Sequence, residues 1–280
     1  AEELAVCEIA QKHGTPCFIY SRATLERHYR AYETALSGLS NMICYAVKAN
    51  SNLAVLNVLA RMGAGFDIVS GGELSRVLQA GGDPAKVIFS GLGKTVAEIK
   101  QALRAGIHCF NVESEAELNR LNEEGLRVDL PASISVRVNP DVDAGTHPYI
   151  STGLKENKFG ISTDRAMEVY RAASQMGGIK ICGIDCHIGS QLTSVEPFLD
   201  AIDKLLAMVD RLSEEGINLS HFDMGGGLGV SYGAESPPLP SELIEAVCFL
   251  YTPDAAHDPL SVDTHGRCLF TYKYSFFLVA

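Results

Sequence analysis

The 280-residue sequence predicts an α/β protein built as a TIM-like (β/α)8 barrel. Short apolar or β-branched runs alternate with helix-period patterns at an even pitch. Seven such units follow one another without the topological break that marks a doubly wound sheet. Three of the intervening helical patterns end near glycine, as helix C-termini often do.

In chain order, "CFIYS" (17–21) stands before a helical stretch and outside this rhythm, which assigns it to a second layer. The strands are "MICYAV" (42–47), "FDIVS" (66–70), "VIFSG" (87–91), "HCFNVE" (108–113), "SISVRV" (133–138), "ICGIDCH" (181–187) and "HFDM" (221–224). Between them lie helices such as "NLAVLNVLARM", "GELSRVLQAG", "TVAEIKQALRAG" and "EAELNRLNEEG", the longest being "PFLDAIDKLLAMVDRLSEEG" (197–216). After "PSELIEAV" (240–247) the pattern dissolves, and only "RCLFTYKYSFFLVA" (267–280) is strand-like, with no helix after it. The eighth strand therefore reads as missing or replaced. The organisation is an N-terminal segment (1–40), a barrel (41–247) and an atypical tail (248–280) with no structure assigned.

Lysine plus arginine number 23 against 34 aspartate plus glutamate, a formal charge of −11 with no basic block. Nucleic acid and anionic membrane are poor partners for such a chain. The eight cysteines are scattered, with no C-x-x-C pair and no histidine at zinc-finger spacing, and read as reduced core residues in a cytoplasmic compartment. No run approaches the ~18 apolar residues of a membrane span. The first residues lack a signal-peptide layout, while the alanine start is compatible with a removed organelle leader.

"CYAVKAN" (44–50) ends a strand on Lys48. Its stem could snorkel with the ammonium in water, or the amine could serve as a nucleophile that forms a Schiff base. "MGGGLGV" (224–230) follows the seventh strand, where Gly225, Gly226 and Gly227 make either a phosphate nest or a tight turn. "HIGSQ" (187–191) puts His187 and Ser190 at the end of the sixth strand, the histidine suited to stacking on a planar ligand and the serine to a phosphate. "FDIVSGGEL" supplies Asp67 within a strand and Glu73 in a first helical turn, where the dipole alone accounts for a carboxylate. Arg137 lies on an apolar strand and is costly to bury without an anion or ring oxygen as partner. Asp141, Asp143 and His147 fall in a Gly/Pro loop with no second cluster, a surface loop rather than a metal site. A nucleophilic lysine, a stacking histidine and a phosphate nest on three strands suit a flat, phosphorylated aldehyde, which describes pyridoxal 5'-phosphate.

"YAVKANSNLAVLNVLARMGAGFDIVSGGEL", "GLGKT", "RVNPDVDAGTHPYISTGLKENKFGI", "HIGSQ" and "MGGGLGV" together resemble the diaminopimelate decarboxylases, members of the alanine-racemase-like, fold-type III pyridoxal-phosphate enzymes. The resemblance runs from about residue 1 to 247. It implies that Lys48 carries the cofactor, that His187 stacks on its ring, and that Ser190 and Gly225 to Gly227 hold its phosphate. It implies supporting roles for Asp67, Glu73 and Arg137. The implied reaction is decarboxylation of meso-2,6-diaminopimelate to L-lysine, with a homodimer for the full-length family. The chain departs from the family in having no E-P-G-R motif on an eighth strand and no C-E-S/T-x-D segment. The glutamate of the first would support the cofactor ring, so the resemblance implies that these residues alone are inactive. The alternative is a non-catalytic barrel that carries pyridoxal phosphate.

Overall fold

The computed structural model describes residues 2–142, 159–250 and 275–279. Helices α1 (Val6–His13) and α2 (Arg22–Ala35) lead into β1 (Asn41–Ala46), α3 (Leu53–Arg61), β2 (Gly65–Ile68), α4 (Gly71–Gln79), β3 (Val87–Phe89), α5 (Val96–Ala105), β4 (Cys109–Val112) and α6 (Glu115–Val128). There follow β5 (Ala132–Asn139), the short β6 (Ile161–Ser162), α7 (Thr163–Ser174), β7 (Ile179–Asp185), α8 (Glu196–Glu214), β8 (His221–Asp223), α9 (Pro240–Leu250) and β9 (Ser275–Val279). All seven strands read from the sequence are present. Among the described residues no helix is long and apolar enough to cross a membrane.

Every pairing is parallel, and the β4–β5 ladder joins the two ends of the order β4-β3-β2-β1-β9-β8-β7-β5 into a closed ring of eight strands. The choice between a missing and a replaced eighth strand falls to replaced. Phe276 aligns with Asn41 of β1 on one side and with Phe222 of β8 on the other. The reason is the backbone: without an inserted strand, β1 and β8 would each leave a row of N–H and C=O groups unpaired at the centre of the fold. The barrel thus draws on residues beyond 247, and that boundary falls inside α9. Residues 251–274 of the tail lie outside the described residues. The run Cys17–Ser21 joins no strand and builds no second layer; Phe18 is 90% exposed.

Local chemistry starts the helices where the sequence punctuates them. The Ser70, Thr95 and Ser114 hydroxyls each accept the backbone N–H three residues on, and Thr95 with Glu98 completes a capping box. Gly106 ends α5 at φ 70°, the left-handed conformation a helix C-terminus calls for.

Along each strand the side chains alternate between two environments. Phe66, Ile68, Phe110, Val112 and Phe222 face outward into the main core beneath the helices. Their neighbours face the barrel axis, where Cys44, Ile88 and Cys109 form a small apolar cluster of their own and Asp67, Asn111 and Asp223 join a polar network. Gly183 of β7 is required by this crowding, since a Cβ there would sit 2.0 Å from His221 Nε2.

Phe277→Pro removes a ladder donor from the closing strand and is expected to cost at least about 3 kcal/mol. Urea unfolding should show a lowered midpoint, and light scattering should show association through the opened edges of β1 and β8.

Candidate active site

β1 stops at Ala46, and one 3-10 turn, Val47–Ala49, carries the chain toward α3. Val47 is fully buried while Lys48 is exposed, so the turn seats itself on an apolar residue and presents the amine at the C-terminal mouth of the barrel. The following residues hold that geometry: Asn50 Oδ1 accepts the Asn52 N–H at 3.0 Å, and Asn52 Oδ1 caps α3 through the Ala54 N–H at 2.9 Å. The Lys48 charge acts on both Asp67 and His187.

Below the mouth the axis is filled by a polar network. The Ser90 hydroxyl donates to Asp67 Oδ1 at 2.5 Å, and Asn111 Nδ2 donates to Ser90 Oγ at 3.2 Å and to Asp223 Oδ2 at 3.5 Å. Arg137 on β5 pairs with Glu113 Oε1 at 3.1 Å and approaches Asp185 Oδ2 at 4.0 Å. Glu113 also accepts the Gly91 N–H at 3.0 Å and the Gly160 N–H at 3.3 Å, so one carboxylate ties the loops after β3 and before β6 to Arg137. Asp67, Asp185, Asp223 and Glu113 are all buried. Burial pushes the Asp67 carboxyl up to about 6, against the pull of the Ser90 hydrogen bond and of Lys48. Burial raises Asp185 and Asp223 as well, and the Asp223 charge raises Asp185 further by like-charge repulsion.

His187 extends the β7 line to the mouth. Burial, then the charges of Arg137 and Lys48, hold its imidazole down to about 3, so it is neutral at physiological pH. The Gly226 N–H donates to its Nδ1 at 3.3 Å, which orients the ring against the glycine loop. That loop and the one after β7 are stitched together by Leu192 N–H to Gly227 O and Gly229 N–H to Leu192 O, both 2.8 Å. Gly227 is obligatory here: its φ is 109°, and a Cβ would lie 1.9 Å from Gly189 O. Ser190 sits exposed on the same pair of loops.

The structure therefore brings Lys48, Asp67, His187, Ser190 and Gly225 to Gly227 to one mouth. Glu73 is placed otherwise: its carboxylate accepts the Val69 N–H at 2.7 Å, a local bond at the start of α4. Arg137 finds its anion in Glu113 rather than needing one from a ligand. Asp141 lies on the outside, its carbonyl and that of Pro140 accepting from Lys204 Nζ at 2.9 and 3.0 Å. Asp143 and His147 lie outside the described residues.

Sequence reasoning passed over Asp185, Asp223, Glu113 and Asn111. The available signal was an acid or amide at an alternate position of a short apolar strand directly before a histidine or glycine loop, as in "IDCH" and "FDMGGG". It also passed over Lys94 of "GLGKT", which is 3% exposed and donates to Gly91 O at 2.7 Å, Asn111 O at 2.9 Å and Glu117 Oε1 at 2.6 Å.

This donor set fits pyridoxal phosphate. A primary amine stands where an aldehyde could enter, a neutral planar ring flanks it, and a glycine loop leaves its backbone open to a phosphate. The buried Asp67, Asp185 and Asp223 carboxyls below, raised above their ordinary range, match an interior that receives a cationic or hydrogen-bonding ring.

Asp67 goes from an ordinary 3.8 to about 6 on folding, so the folded state holds its proton more tightly. Its contribution to stability is complete below about pH 4 and is lost as pH rises past about 6. Asp67→Asn should abolish that loss, gaining up to about 3 kcal/mol on the wild type at neutral pH, read from urea midpoints across this window. Lys94→Met, which strands Glu117 in the interior, is expected to cost about 3–5 kcal/mol in the same measurement.

Residues 22–257 match the family model described as the pyridoxal-dependent decarboxylase, pyridoxal binding domain. The chain is 60% identical over 247 residues to diaminopimelate decarboxylase from Pseudomonas aeruginosa, covering 88% of this chain and 60% of that protein. It is likewise 60% identical to the diaminopimelate decarboxylase of Vibrio cholerae, covering 88% of this chain and 59% of that one. The crystal structure of diaminopimelate decarboxylase from Helicobacter pylori complexed with L-lysine superposes with a TM-score of 0.88 at 37% identity, over 98% of this chain and 65% of that chain. The chain thus spans about 60% of the length of the curated relatives it matches. With the model matching residues 22–257, the chain belongs to the pyridoxal-dependent decarboxylases, whose pyridoxal-binding domain it carries.

Proposed function

We propose that this chain provides the cofactor-binding barrel of a cytoplasmic carboxy-lyase that converts meso-2,6-diaminopimelate to L-lysine. The observation that carries the reading is the meeting of Lys48, Asp67, His187 and the Gly225–Gly227 loop at one mouth, in a chain 60% identical to diaminopimelate decarboxylases over 247 residues.

When bound, pyridoxal phosphate supplies an electrophilic aldehyde and an electron-withdrawing ring. Lys48 offers the amine that holds it, and Asp67 beneath supplies the negative partner that favours and directs the ammonium when the amine is not engaged. His187, kept neutral by burial and by Arg137, gives the ring a flat face without adding a charge to it. The Gly226 N–H keeps that face turned inward. Ser190 and the glycine backbone would donate to the phosphate, and Arg137 is held in place by Glu113.

A second reading has its own support. The closing strand, Ser275–Val279, reads Ser-Phe-Phe-Leu-Val and contains neither carboxylate nor arginine. The 280 residues by themselves are then a binder of pyridoxal phosphate without turnover.

Addition of pyridoxal phosphate should give the absorbance band of the lysine-bound cofactor in the wild type and none in Lys48→Ala. His187→Ala should weaken uptake by up to about tenfold through lost stacking. Release of CO₂ from meso-diaminopimelate by the same preparation decides between lyase and binder; none above background is expected from these residues alone, and turnover would overturn that expectation.

A further inference from the structure

At the opposite, N-terminal mouth of the barrel four soft donors converge from strands that are far apart in sequence. His108 immediately precedes β4, Cys109 begins it, Cys182 lies in β7 and His221 begins β8. The donor atoms of His108, Cys109 and His221 all lie within 4.8 Å of one another. Cys109 Sγ is 4.0 Å from His221 Nε2, and the two imidazoles are 5.3 Å apart between ring centroids. Cys182, on the strand that pairs with β8, packs against the small cluster of Cys44, Ile88 and Cys109.

Two local devices build this arrangement. The β5–β7 register slips between Ile134, aligned with Ile181, and Ser135, aligned with Gly183, so Cys182 is the bulged residue, and a bulge re-aims a side chain. Gly183 then leaves empty the volume that the His221 ring occupies.

We propose that His108, Cys109, Cys182 and His221 form a zinc site at the N-terminal mouth, tying β4, β7 and β8 together. Two imidazole nitrogens and two sulfurs are a set that suits four-coordinate Zn²⁺, and the absence of oxygen ligands from the group disfavours Mg²⁺ and Ca²⁺. Tetrahedral ligation brings neighbouring donors to about 3.5 Å, so the cluster contracts on binding. The half-buried His108 ring has the freedom to turn, and Cys182 gives up its bond of 3.0 Å to the Ile134 carbonyl. Cys109, fully buried, and His221, 1% exposed, define the inner side. Both thiols release a proton to the solvent as they bind the ion. The site lies at the end of the barrel away from Lys48 and does not depend on the cofactor reading.

Cobalt titration of the reduced, metal-free 280-residue protein tests this. One equivalent of Co²⁺ should produce tetrahedral d–d bands and a thiolate-to-cobalt charge-transfer band, both erased by Zn²⁺, and Zn²⁺ should raise the Tm. Cys109→Ser and Cys182→Ser should each lower affinity by at least about tenfold and halve the charge-transfer intensity, whereas Cys7→Ser should change neither. Should a variant fail to fold, the charge-transfer intensity of the wild type, which scales with the number of bound thiolates, gives the ligand count directly. Uptake without a charge-transfer band, less than one equivalent bound, or undiminished binding in both serine variants would overturn the proposal. So would a Cys109–Cys182 disulfide in the isolated protein that, once reduced, takes up no metal.

Discussion

Closure of the parallel ring is the constraint on which the rest of this structure depends. Once β4 meets β5 and β9 seats between β8 and β1, every second residue of every strand points at a narrow axis with no access to bulk water along most of its length. Any polar group placed there must find its partner inside the barrel. The outward residues face no such demand, because the helices cover them with an ordinary apolar core.

The interior answers that demand with a graded arrangement along the axis. Near the N-terminal mouth it is sulfur, imidazole and apolar side chains; in the middle, Asp67, Ser90, Asn111 and Asp223 share hydrogen bonds; toward the C-terminal mouth stand Lys48, Arg137, Glu113 and His187. Cations thus gather where the interior opens, and buried carboxyls lie beneath them. Burial raises the Asp67 carboxyl to about 6 and keeps the histidine neutral, so the same desolvation that makes the interior costly sets the protonation states at the mouth.

Glycines decide how closely the parts approach. Gly183 lets the His221 ring into the axis, and Gly227 lets the loop after β8 press on the loop after β7. In both places a single methyl group would have to displace an atom at about van der Waals half-distance, so shape complementarity there is set by the lack of a side chain.

Much of this was legible in the linear sequence. The alternation of short apolar runs with helical periods determined the seven βα units, because strand and helix periods are properties of neighbouring residues. That Lys48 after β1, His187 after β7 and the glycines after β8 would share one mouth was legible because they follow strands, and the residues after parallel strands collect at one end of a barrel. Tertiary structure alone decided the rest. That Ser275–Val279 closes the ring follows from two edges that must be paired, a condition no local pattern expresses. That Arg137 is matched by Glu113, that Glu73 serves its own helix, that His108, Cys109 and His221 share a space, and that Cys182 packs beside Cys109 are facts of distance across strands. Distance across a barrel depends on register and shear, and those exist only once the sheet has closed on itself.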